Sequence, residues 1–210
     1  MIDNLILKPL YCRFRYIYTD TVQISDGNLF DIVFAAKKLK LGDLEKRCAE
    51  YLETKISDDN VGNFVEQAMR FDSKDCIATC LEYFGANAID VIRSEQFLTA
   101  SKDTIGKLCE CEKISCTDVK LFSACVDWAK AECQRNNTET SPEGLRTALG
   151  DIVNKIEFSR MTLDEMMKDV VPTGILTDDH LGKIIYSLGK CPNIEVISFL
   201  HQLSIDTECY

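Results

Sequence analysis

The sequence predicts a predominantly all-α fold that is built from antiparallel helix pairs. Along its 210 residues, apolar positions recur at helical spacing, and many of these runs follow residues that cap helices, such as Ser101 and Thr162. The connections between neighbouring runs are short, so consecutive helices must lie antiparallel. The face from Leu121 to Ala129 is apolar over so wide an arc that its helix must be largely buried.

Composition and charge narrow the range of functions. The chain is 46% hydrophobic, enough for a real core, and its formal net charge is −10, which disfavours nucleic acid and anionic lipid as partners. Lys37, Lys38 and Lys40 form the only tight basic group, which we interpret as a solvated helix face. No apolar run approaches the ~20 residues of a membrane span. Because the first residues also do not resemble a signal peptide, we expect a soluble, cytoplasmic protein.

The first helix pair has the densest local signals. Val22 and Ile24 alternate with polar neighbours as strand residues do, and Asn28 ends a turn that predicts a helix cap. Gly42 is predicted to stop the first helix, and Asp43 to cap the second. The apolar face of the pair comprises Leu29, Ile32, Val33, Ala36, Leu39, Leu44, Cys48, Tyr51 and Leu52.

Further helices follow from the same signals. The cluster 57–60 predicts a cap for a helix whose apolar face is Val61, Phe64, Val65 and Ala68, and the run 76–84 predicts the antiparallel return. Ser101 should cap the next helix, and Thr117 or Ser115 the buried helix that carries Phe122 and Trp128.

Three more helix starts are predicted in the last third of the chain. Ser141 followed by Pro142 opens a helix expected to remain amphipathic to Ile156. The run 162–165 is a capping box, flanked by Met161 and Met166 where a hydrophobic staple would lie. Residues 177–179 cap a helix that runs to Gly189.

The sequence contains no arrangement typical of an enzyme or a cofactor site. The ten glycines form no phosphate-binding loop, and the two histidines, His180 and His201, adjoin ordinary amphipathic segments. The eleven cysteines are best explained as reduced thiols, many of them in the core. Cys109, Cys111 and Cys116 leave open the alternative of three zinc ligands, although structural zinc needs four. We expect no catalytic residue and no cofactor.

Helix pairs offer surfaces for binding other proteins. An aromatic residue that leaves the apolar stripe of its helix, such as Phe64 or Phe71, can anchor a partner helix or an extended peptide. The alternative is that Phe64 packs in the core against the next helix. The residues alone therefore predict an all-helical interaction module.

Several motifs resemble BTB/POZ-BACK proteins. The runs 14–20, 35–39 and 44–52 resemble the C-terminal half of a BTB/POZ domain, and residues 60–80 resemble the 3-box helix pair of cullin-3 adaptors. The run 118–133, which reads DVKLFSACVDWAKAEC, looks like a BACK domain, and the runs 160–165 and 174–177 match its end. The resemblance covers roughly residues 10–188 and is greatest to the subgroup that carries a PHR domain.

This resemblance implies a domain organisation and a function. Residues 1–56 would be a partial BTB/POZ domain, residues 57–190 a 3-box and BACK helical domain, and residues 191–210 a tail. Members of the family resemble substrate adaptors of cullin-3 RING ubiquitin ligases. Carried over to this chain, the residues expected to bind cullin-3 are Leu10, Tyr11, Asn60, Phe64, Ala68 and Phe71.

The resemblance also predicts a chain that is truncated at both ends. The BTB half with the dimer interface would precede residue 10, so we expect a monomer, and the exposed edge from Leu10 to Ile24 should be the least stable part. The substrate protein is not specified by any residue. The alternative functions are a scaffold or competitor without ligase activity that uses only the BACK helices, or a fragment of a longer adaptor.

Overall fold

A computed structural model describes residues 23–187, with side chains as far as Ile184. These residues form helices and turns and contain no β-strand, which confirms the predominantly all-α prediction. Ile24 is half-buried but lies in no strand, so the strand-like interpretation of that position was wrong. The predictions for Leu10, Tyr11 and the rest of 1–22, and for the 191–210 tail, lie outside the described residues.

The helices alternate with short connections along the described chain. In order they are α1 (Leu29–Leu39), α2 (Gly42–Glu53), α3 (Val61–Arg70), α4 (Lys74–Val91), α5 (Glu95–Thr99), α6 (Lys102–Leu108), α7 (Asp118–Arg135), α8 (Pro142–Leu149), the single turn α9 (Leu163–Glu165) and α10 (Asp178–Ser187). Short 3-10 segments and one π-helical turn, Met166–Val170, connect α8 to α10.

The first four helices form two hairpins of the same construction. The first hairpin (α1 and α2) and the second hairpin (α3 and α4) stack through α2 and α4. Their sequences align without a gap at an offset of 32 residues, which we call the 32-residue repeat. The positions identical in both copies include Ser25 and Ser57, Asp26 and Asp58, Asn28 and Asn60, Ala36 and Ala68, Cys48 and Cys80, and Tyr51 and Tyr83.

The same hydrogen bond closes both hairpins. The Tyr51 hydroxyl donates to Asp26 Oδ1 at 2.6 Å, and the Tyr83 hydroxyl donates to Asp58 Oδ1 at 3.0 Å. Each bond ties the end of the second helix to the turn before the first. The bond to Asp26 raises the pKa of Tyr51, whereas burial and then the bond to Asp58 raise the pKa of Tyr83.

Four local predictions for these hairpins were wrong: Gly42 does not stop α1, and no side-chain cap is formed by Asn28, by Asp43, which lies inside α2, or by the cluster 57–60. α1 ends at Leu39 because the next residue, Lys40, takes the left-handed conformation with φ 56°, and Gly42 is already the first residue of α2. Because Lys40 and Leu41 donate back to the carbonyls of Lys37 and Ala36, the helix needs no glycine stop. Asn28 does not cap α1 with its side chain, since Oδ1 accepts instead from the Ser25 amide at 2.7 Å.

A loop from the second half docks into a kink of α4. Asn87 has non-helical angles, and Ser115 compensates by accepting from the Ala88 amide at 3.1 Å and donating its own amide to the Gly85 carbonyl at 2.7 Å. A Cβ on Gly85 would lie 2.3 Å from the Lys113 carbonyl oxygen. Only glycine therefore allows this approach.

The core of the second half surrounds α7, as its wide apolar face predicted. α7 packs against α5, α8 and the π-helical turn, and its buried residues are Leu121, Phe122, Ala124, Cys125, Val126, Trp128, Ala129 and Cys133. The Trp128 indole is fully buried and donates to the Ala100 carbonyl at 2.9 Å, which satisfies its one polar atom.

The caps predicted at Ser101, Ser141 and Thr162 are confirmed, whereas Thr117 precedes α7 without a side-chain cap bond. Ser101 and Ser141 accept from the backbone amides of Thr104 and Gly144, and Thr162 forms the complete capping box with Glu165. The helix from Ser141 was predicted too long. It ends at Leu149, because Gly150 takes φ 52° and the chain continues as a 3-10 segment.

Among the helices of residues 23–187, none has the length and apolar character that a membrane crossing requires.

Candidate interaction surface

Four phenylalanine rings meet between the first helices of the two hairpins. Phe30 of α1 lies 6.0 Å from Phe64 of α3 and 6.2 Å from Phe71, and Phe34 lies 5.6 Å from Phe71, measured between ring centroids. We call these four residues the aromatic face. Three of the rings are half-buried, so each both packs on the core and presents an edge to solvent.

Phe34 is the exposed end of the aromatic face. Its surface is 37% accessible, and within residues 23–184 every other large hydrophobic residue is less exposed. The Lys38 ammonium lies 4.6 Å from the centroid of its ring, in a cation–π contact. An exposed ring beside a cation can receive both an apolar group and a carboxylate.

The charges near this end are predominantly basic. Lys37 and Lys38 lie in the last turn of α1, Lys40 follows it, and Arg70 ends α3. Lys37 forms a 3.0 Å ion pair with Asp72, which lowers the pKa of that carboxyl through a hydrogen bond and the nearby charge. Among the ion pairs of residues 23–187, none includes the other three cations.

The residues predicted to bind cullin-3 differ in what they can contact. Phe64 and Phe71 belong to the aromatic face and are accessible. Ala68 is fully buried, so its side chain packs inside the hairpin. Asn60 closes its turn, accepting from the Ser57 amide and donating to the Lys55 carbonyl, as Asn28 does in the first hairpin.

The three cysteines considered as zinc ligands do not converge. Cys109 is buried with its sulfur 3.7 Å from that of Cys125, while the Cys111 thiol contacts the Leu81 and Lys113 carbonyls. Burial raises the pKa of the Cys116 thiol, which disfavours the thiolate that binds a metal. No group of three potential metal ligands is gathered anywhere in residues 23–187.

Other thiols belong to the core between the hairpins. Cys48 and Cys80, at equivalent positions of the 32-residue repeat, are fully buried. Burial raises the pKa of each to about 12, with a smaller contribution from the neighbouring Cys76. At neutral pH these groups are uncharged thiols that act as small apolar side chains.

Two members of the aromatic face were missed from the sequence. The helical pattern of α1 was read from its buried residues, so Phe30 and Phe34 were not considered. The 32-residue repeat contains the missing signal. It aligns Phe34 with Glu66 and Phe30 with Gly62, so neither ring is required by the hairpin itself.

Residues 23–187 thus form a helical chain with a partly exposed aromatic surface. Comparison with known proteins shows which family the chain resembles. The sequence model of the BTB/POZ domain matches residues 14–56, which include α1 and α2. The chain is also similar to BTB/POZ domain-containing protein 3 of Homo sapiens, with 27% identity over 198 residues that cover 93% of this chain.

A second relative gives the same indication. BTB/POZ domain-containing protein 6 of Homo sapiens is 28% identical over 183 residues, which cover 86% of this chain. The aligned regions are 38% and 34% of the two human relatives, so the chain spans just over a third of their length. The BTB/POZ similarity indicates a protein-interaction module, and proteins of this kind are not typically enzymes.

Proposed function

We propose that this chain is a protein-interaction module of the substrate-adaptor type, which binds the N-terminal region of cullin-3 through its aromatic face. In this proposal residues 1–56 are part of a BTB/POZ domain, residues 57–190 are 3-box and BACK helices, residues 191–210 are a tail, and the chain acts in the cytoplasm. The observation that carries it is the ring cluster, which joins α1 of the BTB/POZ-like segment to α3 of the following hairpin.

The chemistry of the aromatic face suits a protein partner. Aromatic side chains supply large contact areas with few rotatable bonds, and they are enriched among the residues that dominate binding energy. Phe64 and Phe71 retain accessible edges while their other sides rest on the core. A surface held in place in this way loses little conformational freedom on binding.

A pull-down with the purified N-terminal region of cullin-3 tests the proposal. The full chain should recover cullin-3, and the double variant Phe64→Ala, Phe71→Ala should recover much less. Because both rings also pack on the core, each substitution should lower the stability of the chain. The loss should be smaller than for a fully buried phenylalanine, where replacement by alanine costs about 3–5 kcal/mol. Circular dichroism must therefore show that the variant is folded at the assay temperature.

Ile77→Ala is the matched control for this experiment. Ile77 is a half-buried apolar residue of α4 in the same hairpin, and it contributes no ring to the aromatic face. Its substitution should lower stability and leave cullin-3 recovery unchanged. Recovery that is equal for the wild type and the folded double variant would remove the aromatic face from the proposal.

A second candidate is a scaffold or competitor without ligase activity, which uses only the BACK helices. It is favoured by the roles of Asn60 and Ala68, since a turn-closing amide and a buried methyl group are structural features of the hairpin. This candidate predicts that the folded wild-type chain does not bind cullin-3.

A further inference from the structure

We infer that the Phe34 end of the aromatic face is a binding site for a peptide segment that combines an apolar anchor with carboxylates. The inference rests on the proposed function in using the same face, but it does not depend on cullin-3 as the partner. It specifies the chemistry of the ligand: an aromatic or large aliphatic side chain flanked by Asp or Glu.

The first argument is that the hairpin fold does not require an aromatic residue at position 34. The 32-residue repeat provides an internal comparison, because both hairpins share the same turn, the same Tyr–Asp bond and a left-handed residue at the same position, Lys40 or Asp72. At the position equivalent to Phe34, the second hairpin carries Glu66. A charged residue is therefore compatible with this position of the hairpin, and exposing a ring there has an energetic cost.

The second argument is that the Phe34 ring is already oriented for a ligand. Its contact with Phe71, at 5.6 Å and an interplanar angle of 57°, fixes one side, and Lys38 lies over the ring at 4.6 Å. Of the Phe34 surface, 37% remains accessible. An apolar side chain placed on it would pack on a ring whose orientation is already fixed.

The third argument is charge complementarity. The whole chain carries a net charge of −10, yet the C-terminal ends of α1 and α3 carry Lys38, Lys40 and Arg70 outside the ion pairs formed by residues 23–187. Asp72 is already paired with Lys37, and the exposed Asp31, three residues before Phe34 on the same face of α1, offsets one of the three cations. A ligand carboxylate beside Phe34 would therefore meet a locally positive surface, whereas a basic peptide would be repelled.

Selection from a library of random linear peptides tests this inference without assuming a partner. The library is displayed on phage and selected on the full chain, with Phe34→Glu as the counter-selection target. Phe34→Glu introduces the residue that the repeat carries at this position, so the variant should fold, with a slightly lower melting temperature because the ring contact with Phe71 is lost. We expect enriched peptides in which Leu, Ile, Phe or Trp is flanked by Asp or Glu.

One enriched peptide is then synthesised and its affinity measured by fluorescence anisotropy. Phe34→Glu should weaken its binding about tenfold or more, and Phe34→Ala should weaken it without adding a charge. Lys38→Gln should weaken binding less and flatten its dependence on salt. Ala78→Glu, which adds a charge at an exposed position of α4, should leave binding unchanged.

Three results would overturn the inference. The first is that no peptide is enriched on the wild type over the Phe34→Glu target, and the second is that the enriched peptides are basic or uncharged. The third is a concentration-dependent dimer that Phe34→Glu dissociates, because it would assign the surface to a second copy of the chain. A chain that selects acidic peptides but does not bind cullin-3 would support this inference and refute the proposed function. The two outcomes are thus distinguishable.

Discussion

Replacing Gly85 with alanine should destabilise the protein, although alanine is the better helix former. Gly85 lies within α4, where the loop that follows α6 crosses the kink. The added Cβ would lie 2.3 Å from the Lys113 carbonyl oxygen and 3.2 Å from the Cys111 sulfur. The nearer neighbour is backbone, so the clash cannot be relieved by rotating a side chain.

The expected magnitude is the balance of one gain and two losses. Alanine gains about 1 kcal/mol over glycine in a helix interior. Overpacking costs about 1–3 kcal/mol, and a displaced loop would also break the two hydrogen bonds of Ser115, worth about 0.5–1.5 kcal/mol each. We therefore expect a net loss of roughly 1–5 kcal/mol, with the melting temperature falling by about 2–4 °C per kcal/mol.

Gly62→Ala provides the matched control, measured by urea and thermal denaturation. Gly62 is also a buried helical glycine, but a Cβ there would meet Ala100 and Thr104 at 3.9 Å, an ordinary contact. Gly62→Ala should be neutral or stabilising by up to about 1 kcal/mol. Equal stability of the two variants would refute the close packing of the loop against α4.

Three further changes test other parts of the structure. Tyr83→Phe should lower the free energy of unfolding, measured in urea, by about 0.5–1.5 kcal/mol. Tyr51→Phe should lower it less, because the side chain of its acceptor, Asp26, is 74% exposed. An equal or larger loss of stability in Tyr51→Phe would contradict this order. Trp128→Phe should cost about 0.5–1.5 kcal/mol for the lost hydrogen bond to the Ala100 carbonyl, with a further loss from reduced packing of a fully buried residue. An unchanged melting temperature would exclude this bond. Hydrogen bonds from Lys107 and Lys155 lower the pKa of Glu110. The ionised carboxylate therefore stabilises the protein above the unfolded pKa of ~4.3, and this stability is lost as the pH falls through the lower folded pKa. Glu110→Gln should be less stable than the wild type at pH 7, and a stability difference that persists undiminished in acid would argue against this assignment.

The sequence predicted those parts of the fold that depend on neighbouring residues. The caps at Ser101, Ser141 and Thr162 are correct because each side chain bonds an amide three residues later, a contact that its own segment determines. The buried face of α7 is correct because eighteen residues provide enough periodicity to read. Asn28 failed as a cap because its amide had an alternative use in the preceding turn.

The aromatic face was predicted only in part, for a physical reason. Phe64 lies in α3 and Phe71 directly follows it, so both can be recognised within one segment. Phe30 and Phe34 become significant only when stacking of the hairpins brings α1 beside α3, and helical periodicity within one segment contains no information about that contact. Comparing the two copies of the 32-residue repeat would have identified Phe34, since its counterpart is charged.

The most direct test of the central claim is the affinity of the full chain for the N-terminal region of cullin-3, measured by isothermal titration calorimetry. The wild type should bind, Phe34→Glu should bind at least about tenfold more weakly, and Ala78→Glu should bind as the wild type does. All three proteins should be folded at the assay temperature, with Phe34→Glu melting slightly lower because it loses the ring contact with Phe71. An absence of wild-type binding, or equal binding by all three, would contradict the claim that the aromatic face holds this partner.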